Sequence, residues 1–235
     1  MISPLNTSFS LAFTVAMSEA AAAGSLVDRS GGLPSRVARF WGVNICRACG
    51  IRLSVRGTES VDWDKPFLIM ANHQSYFDIP VLYASLPRAF GMLAKKELFR
   101  VPVFSSAMRG VRCIPIDRSN RRQSLESIRG AAEQVRSGKS IVVFPEGTRS
   151  PDGKIHDLKK GPFYLAQMAG VPIVPVGIRG TRQVLAKGAV LVRSGDVSVS
   201  VGVPLEVDAT GQNERERLRE AVRAAFAELS GLERA

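Results

Sequence analysis

Beyond residue 52 the chain alternates short runs of β-branched and aromatic residues with longer stretches in which apolar positions recur every three or four residues. The short runs predict strands at residues 67–71, 90–94, 113–116, 141–144, 173–176 and 197–201, and the periodic stretches predict helices near 79–86, 121–136 and 162–169. Strand and helix in alternation specify an α/β fold, a central, mostly buried sheet flanked by helices. The run Ile141-Val142-Val143-Phe144 is apolar without interruption, as expected of a strand covered on both faces. Pro and Gly close the runs at Pro145-Glu146-Gly147 and Pro151-Asp152-Gly153, which sets loops directly after strands.

The last helix carries Leu218, Val222, Phe226 and Leu229 at intervals of three or four, an apolar face that serves packing. At the other end, residues 11–27 are rich in Ala and apolar side chains but are interrupted by Ser18, Glu19 and Gly24. That stretch is expected to fall short of a spanning helix, and it lacks the basic n-region and cleavage site of a secretory signal. Residues 1–33 are therefore expected to be a flexible or frayed leader. Residues 34–51 place Val37, Phe40, Trp41, Ile45 and Ala48 at helical spacing among Arg36, Arg39 and Arg47. Such a basic amphipathic helix suits a membrane interface, and equally suits packing on the main domain, which takes up residues 52–235.

Lys and Arg number 32 against 21 acidic residues, a net charge of +11, so phospholipid surfaces, nucleic acid and phosphorylated substrates are all candidate partners. Five glutamates and five arginines cancel between Glu214 and Arg234, so the excess lies upstream. Three cysteines make neither an even disulfide framework nor a zinc set, and the pair Cys46 and Cys49 lacks a second pair or a nearby histidine. No metal is expected.

Only two histidines occur. His73 follows the apolar run 67–71 and opens the polar turn Asn72-His73-Gln74-Ser75-Tyr76-Phe77-Asp78. An imidazole at a strand end faces the crevice where ligands bind in open α/β sheets. Asp78 can fold back onto one ring nitrogen and leave the other to take a proton, or it can simply cap the helix that begins at Ile79. A second strand end runs into Phe144-Pro145-Glu146-Gly147-Thr148-Arg149-Ser150. Freed amides at the Gly turn and the fork of Arg149 suit a phosphate monoester, although a tight turn with a solvated arginine has the same sequence.

Together the two segments resemble the glycerolipid acyltransferase family, whose 1-acylglycerol-3-phosphate acyltransferases carry a His-four residues-Asp box and a Pro-Glu-Gly-Thr-Arg box. The likeness spans about residues 52 to 205. Residues 110–118, ending Ile116-Asp117-Arg118, are similar to the family's second block, and Val171-Pro172-Ile173-Val174-Pro175-Val176 to its fourth. The resemblance implies a glycerolphosphate-acyltransferase-like fold and direct transfer of a fatty acyl chain from acyl-CoA or acyl-carrier protein, as co-substrate, to a hydroxyl of 1-acylglycerol 3-phosphate. His73, oriented by Asp78, would be the base; Arg118, Glu146, Gly147 and Arg149, with Thr148 beside them, would bind the glycerol-phosphate end. Other lyso-lipids, lyso-ornithine lipid among them, and glycerol 3-phosphate are alternative acceptors. No cofactor is implied. The expected setting is a membrane surface, peripheral or monotopic, at the cytoplasmic face of the cell membrane. Lys95, Lys159 and Lys160 would add positive potential, and the fourth block would line the core or an acyl channel.

Rival classes leave weaker traces. No Gly-x-Ser-x-Gly elbow marks a serine hydrolase, and no G-x-G-x-x-G follows a strand. His156, in Gly153-Lys154-Ile155-His156-Asp157, reads as a surface loop residue. Aromatic residues at 7%, without interleaving among basic ones, argue against nucleic acid. A catalytically inactive lipid-binding protein is the remaining non-enzyme alternative.

Overall fold

The computed structural model of the protein describes residues 4–117, 119–208 and 211–235. Among these, seven strands build one sheet: β1 (Ile51–Arg56), β2 (Leu68–Ala71), β3 (Phe90–Lys95), β4 (Ile114–Ile116), β5 (Ser140–Val143), β6 (Ile173–Arg179) and β7 (Gly195–Val201). They lie in the order β1-β7-β6-β2-β5-β3-β4, and every neighbouring pair is parallel except β6 with β7. Parallel neighbours cannot be joined by tight turns, so the chain crosses over through helices. These are α1 (Pro4–Val27), α2 (Gly32–Ala48), α3 (Asp78–Ser85), α4 (Pro102–Gly110), α5 (Arg121–Arg136), α6 (Lys160–Ala169), the single turn α7 (Thr181–Val184) and α8 (Gln212–Ser230).

Successive residues of a strand point to opposite faces, and in β2 all four are buried because helices cover both sides. Ile69 and Ala71 pack with Ile45 of α2 and Val81 and Leu82 of α3. Leu68 and Met70 pack with Ala131 of α5, Phe163 of α6, and Leu218 and Phe226 of α8. Helix α8 comes very close to the sheet at Gly177. A Cβ there would meet Leu229 Cβ at 2.5 Å and Ser230 N at 2.7 Å, so only glycine allows the contact. The fourth block forms β6, whose Ile173, Val174, Val176 and Ile178 are core.

The N-terminus departs from expectation. Residues 4–27 are not a frayed leader but a continuous helix, and among the described residues α1 is the one helix long and apolar enough to cross a membrane. At ~1.5 Å per residue it is about 36 Å long. Two of the residues that broke the apolar run, Ser18 and Gly24, are the ones that let it pack, whereas Glu19 is exposed. Ser18 and Gly24 are buried, Ser18 Oγ is satisfied by the Thr14 carbonyl at 2.7 Å, and Gly24 leaves room for Leu33 and Pro34 of α2. Asp28 turns the chain between the two helices by accepting from Ser30 N at 2.8 Å and Leu33 N at 2.6 Å. Helix α2 ends three residues before the expected boundary, because Ile51 already pairs with Gly195 in the edge strand β1.

The depth of α8 in the core makes a direct stability test. Phe226→Ala, which empties a fully buried site, is expected to cost about 3–5 kcal/mol. Glu228→Ala on the exposed face of the same helix is expected to stay within about 0.5 kcal/mol, both read by denaturant unfolding.

Candidate active site

Strands β2 and β5 are parallel neighbours, so their carboxyl ends deliver both candidate segments to one edge of the sheet. The segments are stitched together there. Ser150 N donates to the His73 carbonyl at 2.8 Å, and the Asn72 amide exchanges two hydrogen bonds with the backbone of Ile178 in β6, at 2.7 and 2.9 Å.

His73 Nδ1 lies 2.7 Å from Asp78 Oδ2. The same oxygen accepts from Gln74 N at 2.7 Å and Ser75 N at 2.9 Å, and Asp78 is 0% exposed. Asp78 therefore folds back onto the turn and does not cap α3, whose N-cap position Phe77 makes no side-chain cap. The histidine ring stacks on Phe144, with centroids 4.0 Å apart. Among the described residues its Nε2 has no hydrogen-bond partner, and the side chain keeps 15% of its surface accessible. With Nδ1 committed to a carboxylate, Nε2 is the nitrogen able to take a proton.

Glu146 takes a position that its sequence context did not reveal. It is buried, with Oε1 accepting from His73 N at 2.7 Å and Oε2 from His156 N at 3.4 Å. Its carboxylate thus holds the backbone of the His73 turn from behind. Burial pushes its pKa up to about 7 from 4.5, against the lowering effect of the backbone donors. His156 is correspondingly more than a surface residue: its amide joins this site, and its Nε2 lies 2.8 Å from Asp152 Oδ1.

Gly147 has φ +75°, the left-handed conformation that turns the loop toward Thr148 and Arg149. The Arg149 guanidinium lies 3.6 Å above the ring of Tyr76, a cation–π contact that lays it beside the histidine turn. Lys187, which sequence reasoning passed over, donates to the Arg149 carbonyl at 3.1 Å and to Thr148 Oγ1 at 3.4 Å. Arg118 lies outside the described residues. Its neighbour Asp117 is paired with Lys96 at 2.5 Å. Lys95 and Lys160 instead pair with Glu97 and Glu216. No local sequence signal marked Tyr76 or Lys187, since each acquires its place through the fold.

Beside Tyr76 and Phe77 opens a cavity of about 440 Å³, within the usual range for small-molecule sites. Its walls are almost wholly apolar and come from α1, α2, α3 and α4, with Trp41, Ile79, Tyr83 and Phe104 among them, together with Met92 of β3 and Leu185, Val190 and Val192. The site so combines a histidine–carboxylate pair, a cationic loop and an apolar chamber.

The sequence matches the family model described as acyltransferase over residues 52–179. It is 34% identical over 156 residues to a chloroplastic 1-acyl-sn-glycerol-3-phosphate acyltransferase of Brassica napus, covering 66% of this chain and 45% of that protein. To the 1-acyl-sn-glycerol-3-phosphate acyltransferase of Saccharomyces cerevisiae it is 32% identical over 177 residues, 74% of this chain and 58% of the relative. The match thus spans about half the length of these curated relatives. A crystal structure of the 1-acyl-sn-glycerophosphate acyltransferase of Thermotoga maritima superposes with a TM-score of 0.80 at 27% identity, covering 96% of this chain and 95% of that one.

The raised Glu146 pKa gives a stability signature. Its favourable contribution is fully present below the unfolded value near 4.5 and is lost as pH rises through about 7, because the folded state holds the proton more tightly. Wild type is expected to lose up to about 3 kcal/mol more than Glu146→Gln between pH 4 and pH 8, as measured by urea unfolding of both.

Proposed function

The chain belongs to the acyltransferase family, and from that premise we propose that it moves a fatty acyl chain from acyl-CoA or acyl-carrier protein to the free hydroxyl of 1-acylglycerol 3-phosphate, giving phosphatidate. The observation that carries this reading is the His73–Asp78 pair at 2.7 Å, set between the Arg149 loop and the apolar cavity. His73 Nε2 takes the proton of the acceptor hydroxyl as its oxygen attacks the thioester carbonyl. Asp78 stabilises the imidazolium that results. Collapse of the tetrahedral adduct breaks the carbon–sulfur bond, and the imidazolium returns its proton to the departing thiolate.

Direct transfer fits the surroundings of the base. Ser75 is fully buried with its Oγ donating to the Leu185 carbonyl at 2.7 Å, and burial pushes the Cys113 and Cys46 thiols up to about 12. None of these is a ready nucleophile. Arg149 and Lys187 supply cations for the acceptor phosphate, and the apolar cavity suits an acyl chain. Two groups carried from the resemblance divide by geometry: Arg149 faces the site, whereas Glu146 supports it from inside. The exposed apolar side chains of α1, Leu5, Leu11 and Val15, suit a bilayer from which a lyso-lipid acceptor would be drawn.

Acyl transfer should be measured from both carriers to lysophosphatidate, glycerol 3-phosphate and lyso-ornithine lipid. The reading expects lysophosphatidate to be the best acceptor. His73→Ala and Asp78→Asn are expected to lower kcat by about 10²–10⁴, and Arg149→Ala to raise KM for the phosphate-bearing acceptor by about 10- to 100-fold. Transfer that survives His73→Ala undiminished contradicts the mechanism.

A further inference from the structure

Residues 185–192 leave the site and return to it as a closed loop. At its base Arg193 N donates to the Val184 carbonyl at 2.9 Å, and a tight turn within it pairs Ala189 N with the Ala186 carbonyl at 3.0 Å. One side is fastened to the catalytic turn by Ser75 Oγ on Leu185 O and to the phosphate loop by the Lys187 ammonium on the Arg149 carbonyl. The other side is fastened to the first helix, through Val192 N on Thr7 Oγ1 at 3.0 Å.

A loop fixed at both sides needs no apolar residue at its tip, yet the tip is Ala189-Val190-Leu191, with Val190 77% and Leu191 44% exposed. Exposing these side chains to water brings no packing in return. Val190 borders the same cavity as Thr7 and Leu11, so the tip continues the exposed apolar face of α1, where Leu5 is 81% and Leu11 70% exposed. Exposed cations, Lys187 and Arg193, stand on either side of the tip. An apolar tip with basic shoulders, continuous with an apolar helix face, matches the acyl layer and anionic headgroups of a bilayer in both chemistry and order.

We propose that the tip of the 185–192 loop is a lipid-docking element that, together with α1, seats the mouth of the cavity on an anionic bilayer. The inference rests on the reading of α1 as the bilayer-facing part of an acyltransferase. It adds a reason for the position of Lys187: one loop carries both the bilayer contact and a cation of the phosphate site, so docking and acceptor capture share a single rigid segment.

The test uses the full chain with Leu191→Asp, Ala189→Asp with Leu191→Asp, and Leu191→Phe. Each is sedimented with vesicles of phosphatidylcholine and phosphatidylglycerol, and acyl transfer is measured to a vesicle-borne and to a short-chain, monomeric lyso-acceptor. Both aspartate variants are expected to lose vesicle binding by about fivefold or more, and vesicle-borne transfer in step, while Leu191→Phe retains both. Transfer to the monomeric acceptor should stay within about twofold of wild type, which shows the site intact. Vesicle binding by the aspartate variants equal to that of wild type overturns the proposal. A wild type that acylates neither acceptor refutes the proposed function instead, and the sedimentation comparison still decides the role of the loop.

Discussion

One carboxylate oxygen organises the turn that carries His73. Asp78 Oδ2 accepts from His73 Nδ1 and from two successive backbone amides, in a residue with no exposed surface. A buried charge is costly unless donors converge on it, and three donors between 2.7 and 2.9 Å offset part of that cost at Oδ2 while closing the turn on itself. The imidazole cannot rotate without giving up a charge-assisted bond. Everything else at the sheet edge acts to keep this turn in register: Asn72 ties it to β6, Glu146 holds the His73 amide, Ser150 N holds the His73 carbonyl, and Phe144 supports the ring.

Around this rigid turn the molecule separates two environments. On one side lie Arg149, flattened on Tyr76, and Lys187; on the other lies a chamber walled by apolar side chains from four helices, β3 and the 185–192 loop. A lyso-lipid with a charged phosphate and an acyl tail has the same division within one molecule. Helix α1 belongs to both aspects of the design, since residues such as Leu11 and Met17 border the chamber while Leu5 and Val15 face outward.

Much of this was legible in the sequence where the cause is local. His73 and Asp78 stand five positions apart and the loop of Arg149 follows directly from a strand, so local pattern raised them as candidates, and the resemblance carried by the two boxes together decided between a dyad and a capped turn. Six strands could be read from their runs, apolar throughout in β2, which is buried on both faces, and alternating valine with serine in β7. Strand β1 escaped notice because at the sheet edge only Ile51 is buried, and its apolar residues are separated by Arg52, Ser54 and Arg56 and form no continuous run. The fold of α1 depends on small residues, Ser18, Ala21 and Gly24, meeting other helices, which reads in one dimension as an interrupted apolar run. The inward turn of Glu146 and the approach of Lys187 are set by contacts across 73 and 38 residues of sequence, beyond any local pattern.

The central claim is that Asp78 fixes His73 with its proton on Nδ1 and Nε2 bare. Nitrogen NMR of the ¹⁵N-histidine-labelled full chain can read this, because the protein holds only two histidines and His156→Gln removes the second signal. At a pH where the ring is neutral, the account predicts a His73 imidazole with protonated Nδ1 and unprotonated Nε2, a preference lost in Asp78→Asn. A ring carrying its proton on Nε2, or one whose tautomer is indifferent to Asp78, would contradict it.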